Sequence, residues 1–403
     1  MQEMEEALNV IDRFLGRGEP PAMEAIFDPS FLAQIPEAQL RQIFGDLRAQ
    51  LGACTGHRLL DKPSSHAWRA RWSFESGFRI DGVLGLSEAT PARIVMLHFD
   101  VPGREEDSWQ AIEEDARALP GLCSLELREL ATGRVLVSLE PSLRLGIGST
   151  SKLVIFSCLL DRIAAGRLAW SHRIELEARA ISGSSGVMHC WPVGSPLTVH
   201  TAAVLMLTMS DNTAADLLLH ELGREAVEEV AGEIATPGSA ARARFPSTRA
   251  FLKLAACSAA QQAEYRDVAP EQQLPMLERL ESAPPELGDV TSQALPDGVG
   301  WYFSALEICN LLERIRSQIE DDEVARALLG ASPQAIAAPA WAYVGSKGGS
   351  SPGRFSLAAL LRSPKGRWLG ACLTINTEPE AVSVPAYAGL IRRATDLALE
   401  DAG

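Results

Sequence analysis

Positive charge is scarce in this chain of 403 residues: five lysines occur (Lys62, Lys152, Lys253, Lys347, Lys365), and 37 Lys plus Arg face 52 Asp plus Glu, a formal charge of −15. That surface repels phosphate backbones, so no nucleic-acid partner is expected. Metal-ligand spacing is also missing. The histidines (His57, His66, His98, His172, His189, His200, His220) and cysteines form no Cys-x-x-Cys pair and no His-Glu-x-x-His. Neither a metal nor any other cofactor is predicted. The seven cysteines (Cys54, Cys123, Cys158, Cys190, Cys257, Cys309, Cys372) are odd in number, far apart and mostly in apolar runs, which reads as buried free thiols rather than a disulfide framework. Between Ala180 and Ser210 no charged residue appears, but Gly183, Gly186, Pro192, Gly194 and Pro196 break the stretch. It falls short of the ~20 apolar residues of a spanning helix, and no membrane span is predicted. The opening Met-Gln-Glu-Met-Glu-Glu is acidic where a secretory leader is basic and then apolar. The chain as written is therefore expected in the cytoplasm, or in the periplasm or outside the cell where a leader has been trimmed.

What is present is the balance of a globular protein, with 46% hydrophobic and 22% charged residues. The length predicts two domains. Residues 4–15 and 37–51 repeat apolar side chains every three or four positions, the helical period. From His66 to Val101 the pattern alternates as in strands, with turns at Glu75-Ser76-Gly77 and Ala89-Thr90-Pro91. Helices followed by an antiparallel meander make a small α+β unit over 1–106. A charged turn, Gly103-Arg104-Glu105-Glu106-Asp107, marks the boundary, and a second domain is expected over 107–403. It opens with a helix over 108–119 and strands at Cys123–Leu130 and Val135–Leu139, and has a helix from about Thr150 to Ala164. After a mainly helical middle come strands at Trp341–Ser346, Phe355–Arg362 and Trp368–Ile375, then a closing helix over 384–400. That order predicts one five-stranded antiparallel sheet whose first and last segments meet. No internal repeat is visible.

Four short motifs are candidates for chemistry. Gly349-Ser350-Ser351-Pro352-Gly353 fits a Gly-x-Ser-x-Gly elbow, but no helix pattern and no histidine follow it, so a hairpin turn explains it better. Ser149-x-x-Lys152 opens a helix, where a capping serine and a solvated lysine would be the plain explanation. Residues three apart share a helical face, however, so the ammonium lies beside the hydroxyl, and a desolvated lysine there becomes a base. Ser210-Asp211-Asn212 reads alone as a helix cap, and Lys347-Gly348-Gly349 alone as a turn. The combination is harder to dismiss, because two of only five lysines fall in the right order.

Ser-x-x-Lys, Ser-Asp-Asn and Lys-[Thr/Ser/Gly]-Gly together are the signature of serine β-lactamases and penicillin-binding proteins, and this sequence resembles class A. The likeness runs through Leu207-Thr208-Met209-Ser210-Asp211-Asn212-Thr213-Ala214-Ala215-Asp216-Leu217-Leu218-Leu219. It covers roughly residues 108–403. It implies a class A-like α+β domain with a five-stranded sheet and an all-helical subdomain. By layout, and by Phe31-Leu32-Ala33-Gln34-Ile35-Pro36, the N-terminal unit resembles the NTF2/SnoaL-like cone ahead of such domains in the esterase-like protein of clavulanate gene clusters. A packing or docking role is expected for it rather than a second active site.

The resemblance implies Ser149 as nucleophile, Lys152 as its base and Ser210 as proton relay to the leaving group. Asn212 would hold a substrate amide or Lys152, and Lys347 would face a substrate carboxylate. Gly349 and Ser350 would line the site, with the Ser149 and Ser350 backbone N–H groups as oxyanion hole. Two departures bear on activity. The family's deacylating glutamate precedes Pro-Glu-Leu-Asn, whereas here Pro284 precedes Pro285-Glu286-Leu287-Gly288, and Gly348 replaces a hydroxyl residue. Between about Pro237 and Ala283 an insertion is expected as a mobile lid. The reading is a serine hydrolase acting on a small-molecule ester, amide or β-lactam, esterase-like, with weak or stalled β-lactam hydrolysis. Its alternatives are a true β-lactamase or D-alanyl-D-alanine peptidase using Glu281, Glu286 or Asp289 as displaced base, and an acylated sensor without turnover.

Overall fold

The computed structural model describes residues 2–183, 185–237, 244–283, 298–332, 339–379 and 382–401. The chain divides into two units, Met1–Ser108 with Ser383–Arg393, and Trp109–Val382 with Ala394–Gly403. Residues 383–393, which include the first part of the closing helix, thus count with the first unit.

In the first unit, helix α1 (Gln2–Leu15) buries Met4, Ala7, Leu8, Ile11, Phe14 and Leu15, one stripe at helical spacing, and α2 (Glu37–Leu51) adds Leu40 and Phe44. An antiparallel sheet follows in the order β1 (Cys54–Ser64), β2 (Ala67–Phe74), β3 (Phe78–Leu86), β4 (Ile94–Phe99). Aromatic rings fill the space between helices and sheet: Phe14 stacks on Phe44 with centroids 4.9 Å apart, and Trp72 meets Phe99 edge-on at 5.3 Å. Strand β1 escaped the sequence reading. None of its residues is buried, so it lacks the apolar alternation by which a strand is recognised. Its place is set by the ladder to β2, from Cys54 opposite Phe74 to Ser64 opposite Ala67.

The second unit starts with helix α3 (Trp109–Ala118), then strands β5 (Leu122–Glu129) and β6 (Val135–Leu139), and the two-residue β7 (Leu145–Gly146). Its helical middle contains α4 (Lys152–Ala164), α5 (Val199–Thr208), α6 (Asn212–Leu222) and α7 (Arg224–Glu233). Next come α8 (Thr248–Ala255), α9 (Ala259–Asp267) and α10 (Pro270–Ser282). The short β8 (Tyr302–Phe303), α11 (Ala305–Ile319) and α12 (Glu323–Gly330) precede β9 (Tyr343–Ser351), β10 (Arg354–Arg362), β11 (Trp368–Asn376) and α13 (Val384–Glu400). The five long strands order as β9-β10-β11-β5-β6, all antiparallel, so both ends of the domain sequence do meet in one sheet. Strand β10 is buried from Arg354 to Leu361 and α4 from Lys152 to Leu160, which makes these two elements the centre of the core.

Two expectations change. The first described helix of the insertion is no lid. Helix α8 is buried at every residue, with Phe251, Leu252 and Leu254 in the main core. Ser247 caps it by accepting from the Ala250 amide, a contact worth about 1 kcal/mol. Composition rich in Ala, Gln and Arg hid the apolar stripe of this one short helix. Of the cysteines, Cys123, Cys158, Cys309 and Cys372 are buried free thiols, but Cys54 and Cys257 are only half-buried and Cys190 is exposed. Cys190 ends a turn in which Met188 occupies the buried position. Residues 349–353 form the β9–β10 hairpin, with Gly353 at φ +73°. Among the described residues no helix is long and apolar enough to cross a membrane.

Candidate active site

Strand β7 pairs with β8 and passes the chain into a tight turn, Gly148–Ser151, that continues as α4. Edge strand β9 lies against this turn. A Cβ on Gly349 would stand 2.2 Å from the Ile147 carbonyl oxygen and 2.6 Å from the Ser149 nitrogen, and one on Gly148 would stand 3.3 Å from the Ser350 nitrogen. Only glycine permits so close an approach. It brings the backbone amides of Ser149 and Ser350 onto facing segments. Lys152, three residues beyond Ser149, is 3% exposed. Its Nζ lies 3.2 Å from Ser149 Oγ, 3.2 Å from Ser210 Oγ, 2.7 Å from Asn212 Oδ1 and 2.5 Å from the Ser210 carbonyl oxygen. Ser210 holds φ at +54°, the left-handed region that costs a non-glycine residue ~1 kcal/mol or more. Both of its oxygens thereby reach one amine. Asn212 is oriented by donating from Nδ2 to the Gly183 carbonyl at 2.8 Å. Lys347, on β9, donates to Ser210 Oγ at 3.0 Å and to the Gly348 carbonyl at 2.7 Å. A serine, its lysine, a second hydroxyl and a second lysine thus form one hydrogen-bonded group.

Residues 107–396 match the model of the Beta-lactamase enzyme family. The chain belongs to that family. Solved structures agree on the fold. PBP-A is 15% identical with a TM-score of 0.52, over 73% of this chain and 94% of that one. A β-lactamase from Sphaerobacter thermophilus DSM 20745 is 18% identical with a TM-score of 0.52, over 73% and 97%. An ancestral class A β-lactamase is 18% identical with a TM-score of 0.51, over 72% and 98%. This member of the β-lactamase family is a serine hydrolase with an α+β fold.

Electrostatics sets the state of the two lysines. Burial, then the neighbouring Lys347 charge, push the Lys152 amine well below the usual lysine range, against the pull of Asp216 and Asp211. Burial pushes Lys347 down to about 8. The Ser210 carbonyl and Asn212 Oδ1 can only accept, so a neutral Lys152 spends its two N–H groups on them. Its lone pair is left for the Ser149 or Ser210 hydroxyl. That is the state a proton acceptor needs.

Ser149, Lys152, Ser210, Asn212, Lys347, Gly349 and Ser350 are therefore brought together in this enzyme. Glu281 is not: its carboxylate accepts from Arg224 and from Ser247 Oγ. Glu286 and Asp289 lie outside the described residues, as do Pro284 and Pro285. Among the described residues no cluster of three or more His, Cys, Asp or Glu could hold a metal.

Two carboxylates lie behind the site: Asp211, read from sequence only as part of a helix cap, and Asp216, which was missed. Asp211 accepts from the amides of Val187 at 2.7 Å, Met188 at 2.8 Å and Ala214 at 2.9 Å, and so fastens the 187–188 loop over the start of α6. Asp216 accepts from the amides of Thr248 at 2.6 Å and Arg249 at 2.8 Å and from Ser182 Oγ. The available signal was an acid set against the apolar run Leu217-Leu218-Leu219 and four residues after Asn212.

Proposed function

We propose that the enzyme forms an acyl-enzyme on Ser149, turns over small esters and stalls on β-lactams. The observation that carries this reading is the position of the buried Lys152 amine between Ser149 Oγ and Ser210 Oγ. Ser149 Oγ attacks the carbonyl carbon while neutral Lys152 takes the hydroxyl proton. The oxyanion forms beside the Ser149 and Ser350 amides, which need no reorganisation to receive it. Ser210 Oγ, bonded to both lysines, gives its proton to the leaving group and recovers one from Lys152. Lys347 supplies positive potential for an anionic substrate group.

Deacylation requires a base for water. Among the described residues, the carboxylates that act on Lys152 are Asp211 and Asp216, and each already accepts three hydrogen bonds. Neither is free to take a proton from water. Lys152, neutral again after acylation, remains as base, and a small acyl group leaves water room to reach it. A bulky penicilloyl group does not. General-base catalysis contributes ~100- to 10,000-fold, so its loss raises the barrier by about 3–5 kcal/mol. We read the first unit as an NTF2/SnoaL-like packing module, a unit with its own core of aromatic and aliphatic side chains.

Intact-mass measurements over time test the reading. A short p-nitrophenyl ester should be hydrolysed steadily, whereas benzylpenicillin should leave a persistent adduct that peptide mapping assigns to Ser149. Rapid penicillin hydrolysis without an adduct, or an adduct on Ser351, would refute it.

A further inference from the structure

We propose that Asp216 is the positioning residue of this site: it ties the start of α8 and the Ser182 segment to α6 and supplies the negative charge that faces Lys152. Asn212 and Asp216 are four residues apart on α6, hence on one face. Asn212 meets the Lys152 amine at 2.7 Å, and Asp216 sits one turn behind it, 1% exposed. Three donors from two other segments converge on its carboxylate: the Thr248 and Arg249 amides at the first turn of α8, and Ser182 Oγ. Thr213, on the same helix, fixes the Ser182 backbone from the other side, accepting from its amide at 2.9 Å and donating to its carbonyl at 2.8 Å.

A buried charge persists only where it is hydrogen-bonded, and this one is held by three donors and the positive end of α8. Burial nevertheless raises its pKa to about 6, against the pull of those bonds, so the carboxylate is an anion at neutral pH. The charged groups that act on it are Lys152 on α4 and Arg249 on α8; Lys347 and Asp211, the cap of α6, act in turn on Lys152, and Glu281 acts on Arg249. An asparagine would not serve equally. Its amide would present N–H groups where backbone N–H groups already point, and it would remove the charge opposing the Lys152–Lys347 repulsion.

This inference rests on the role given to Lys152, but its test does not need turnover. The full-length chain is labelled with 13Cε-lysine; its five lysines give five signals, and loss of one in Lys152→Ala assigns Lys152. Asp216→Asn should move the Lys152 titration down by about one pH unit, the effect of removing one nearby opposite charge, and lower the melting temperature. Lys347 should move less. Loosening alone would admit water and raise the Lys152 midpoint, so an unmoved or upward shift overturns the proposal. Where Asp216→Asn does not fold, Ser182→Ala decides, since losing one bond to the carboxylate should move the midpoint the same way by a smaller step. In parallel, failure of the wild-type enzyme to acylate at Ser149 would refute the proposed function and leave the lysine titration to judge Asp216 alone.

Discussion

Lys347 can hold a carboxylate only while it is charged, and burial limits that to pH values below about 8. With the folded pKa depressed, the cation is present on the acid side and lost as pH rises through that value. The KM for a carboxylated substrate should therefore climb above about pH 8 while that for a neutral ester does not. Steady-state kinetics on a matched pair of esters checks this, and equal behaviour would remove the assignment. Lys347→Ala carries a second signature, because its charge helps to depress Lys152. Without it the Lys152 pKa rises, so the acid limb of ester acylation should move to higher pH. Ser149→Ala should leave the fold intact and abolish all labelling, since among the described residues no other hydroxyl stands one turn from a buried lysine at a helix start.

Contact between β9 and the Ser149 turn depends on Gly349 as much as on any reactive group. Gly349→Ala places a Cβ 2.2 Å from the Ile147 carbonyl oxygen, which forces the strand and turn apart. A displacement near 1 Å costs ~100-fold in rate, so acylation should fall by about that factor with little change in melting temperature. Helix α8 makes the opposite case. Leu254→Ala should cost about 2–5 kcal/mol in denaturant unfolding, the range for a buried leucine, whereas a loose lid would tolerate it. Legibility at this scale followed burial. Elements with one apolar and one polar face, such as α1 and β5, were visible, while the exposed β1 offered no apolar alternation and the stripe of α8 spans only two turns within a polar stretch.

Residues 383–393 belong with the first unit, where Tyr387, Leu390 and Ile391 are buried and Arg393 pairs with Asp107 at 2.6 Å. A chain beginning at residue 109 would expose that stretch. It should melt lower or aggregate, as size-exclusion chromatography and thermal unfolding would show, while its folded fraction acylates Ser149 at the rate of the whole protein. Equal stability of the shortened chain would contradict this. The sequence by itself pointed to the family and the five-stranded sheet and, through the family resemblance, singled out Ser149, Lys152, Ser210, Asn212 and Lys347, because short motifs and apolar periods are written locally. Only the tertiary structure decided that Lys152 is stripped of water between two hydroxyls, that Glu281 is bound elsewhere, and that Asp216 joins α6 to α8 across 32 positions of chain. Burial and charge balance are sums over neighbours that are distant in sequence, so no local pattern records them.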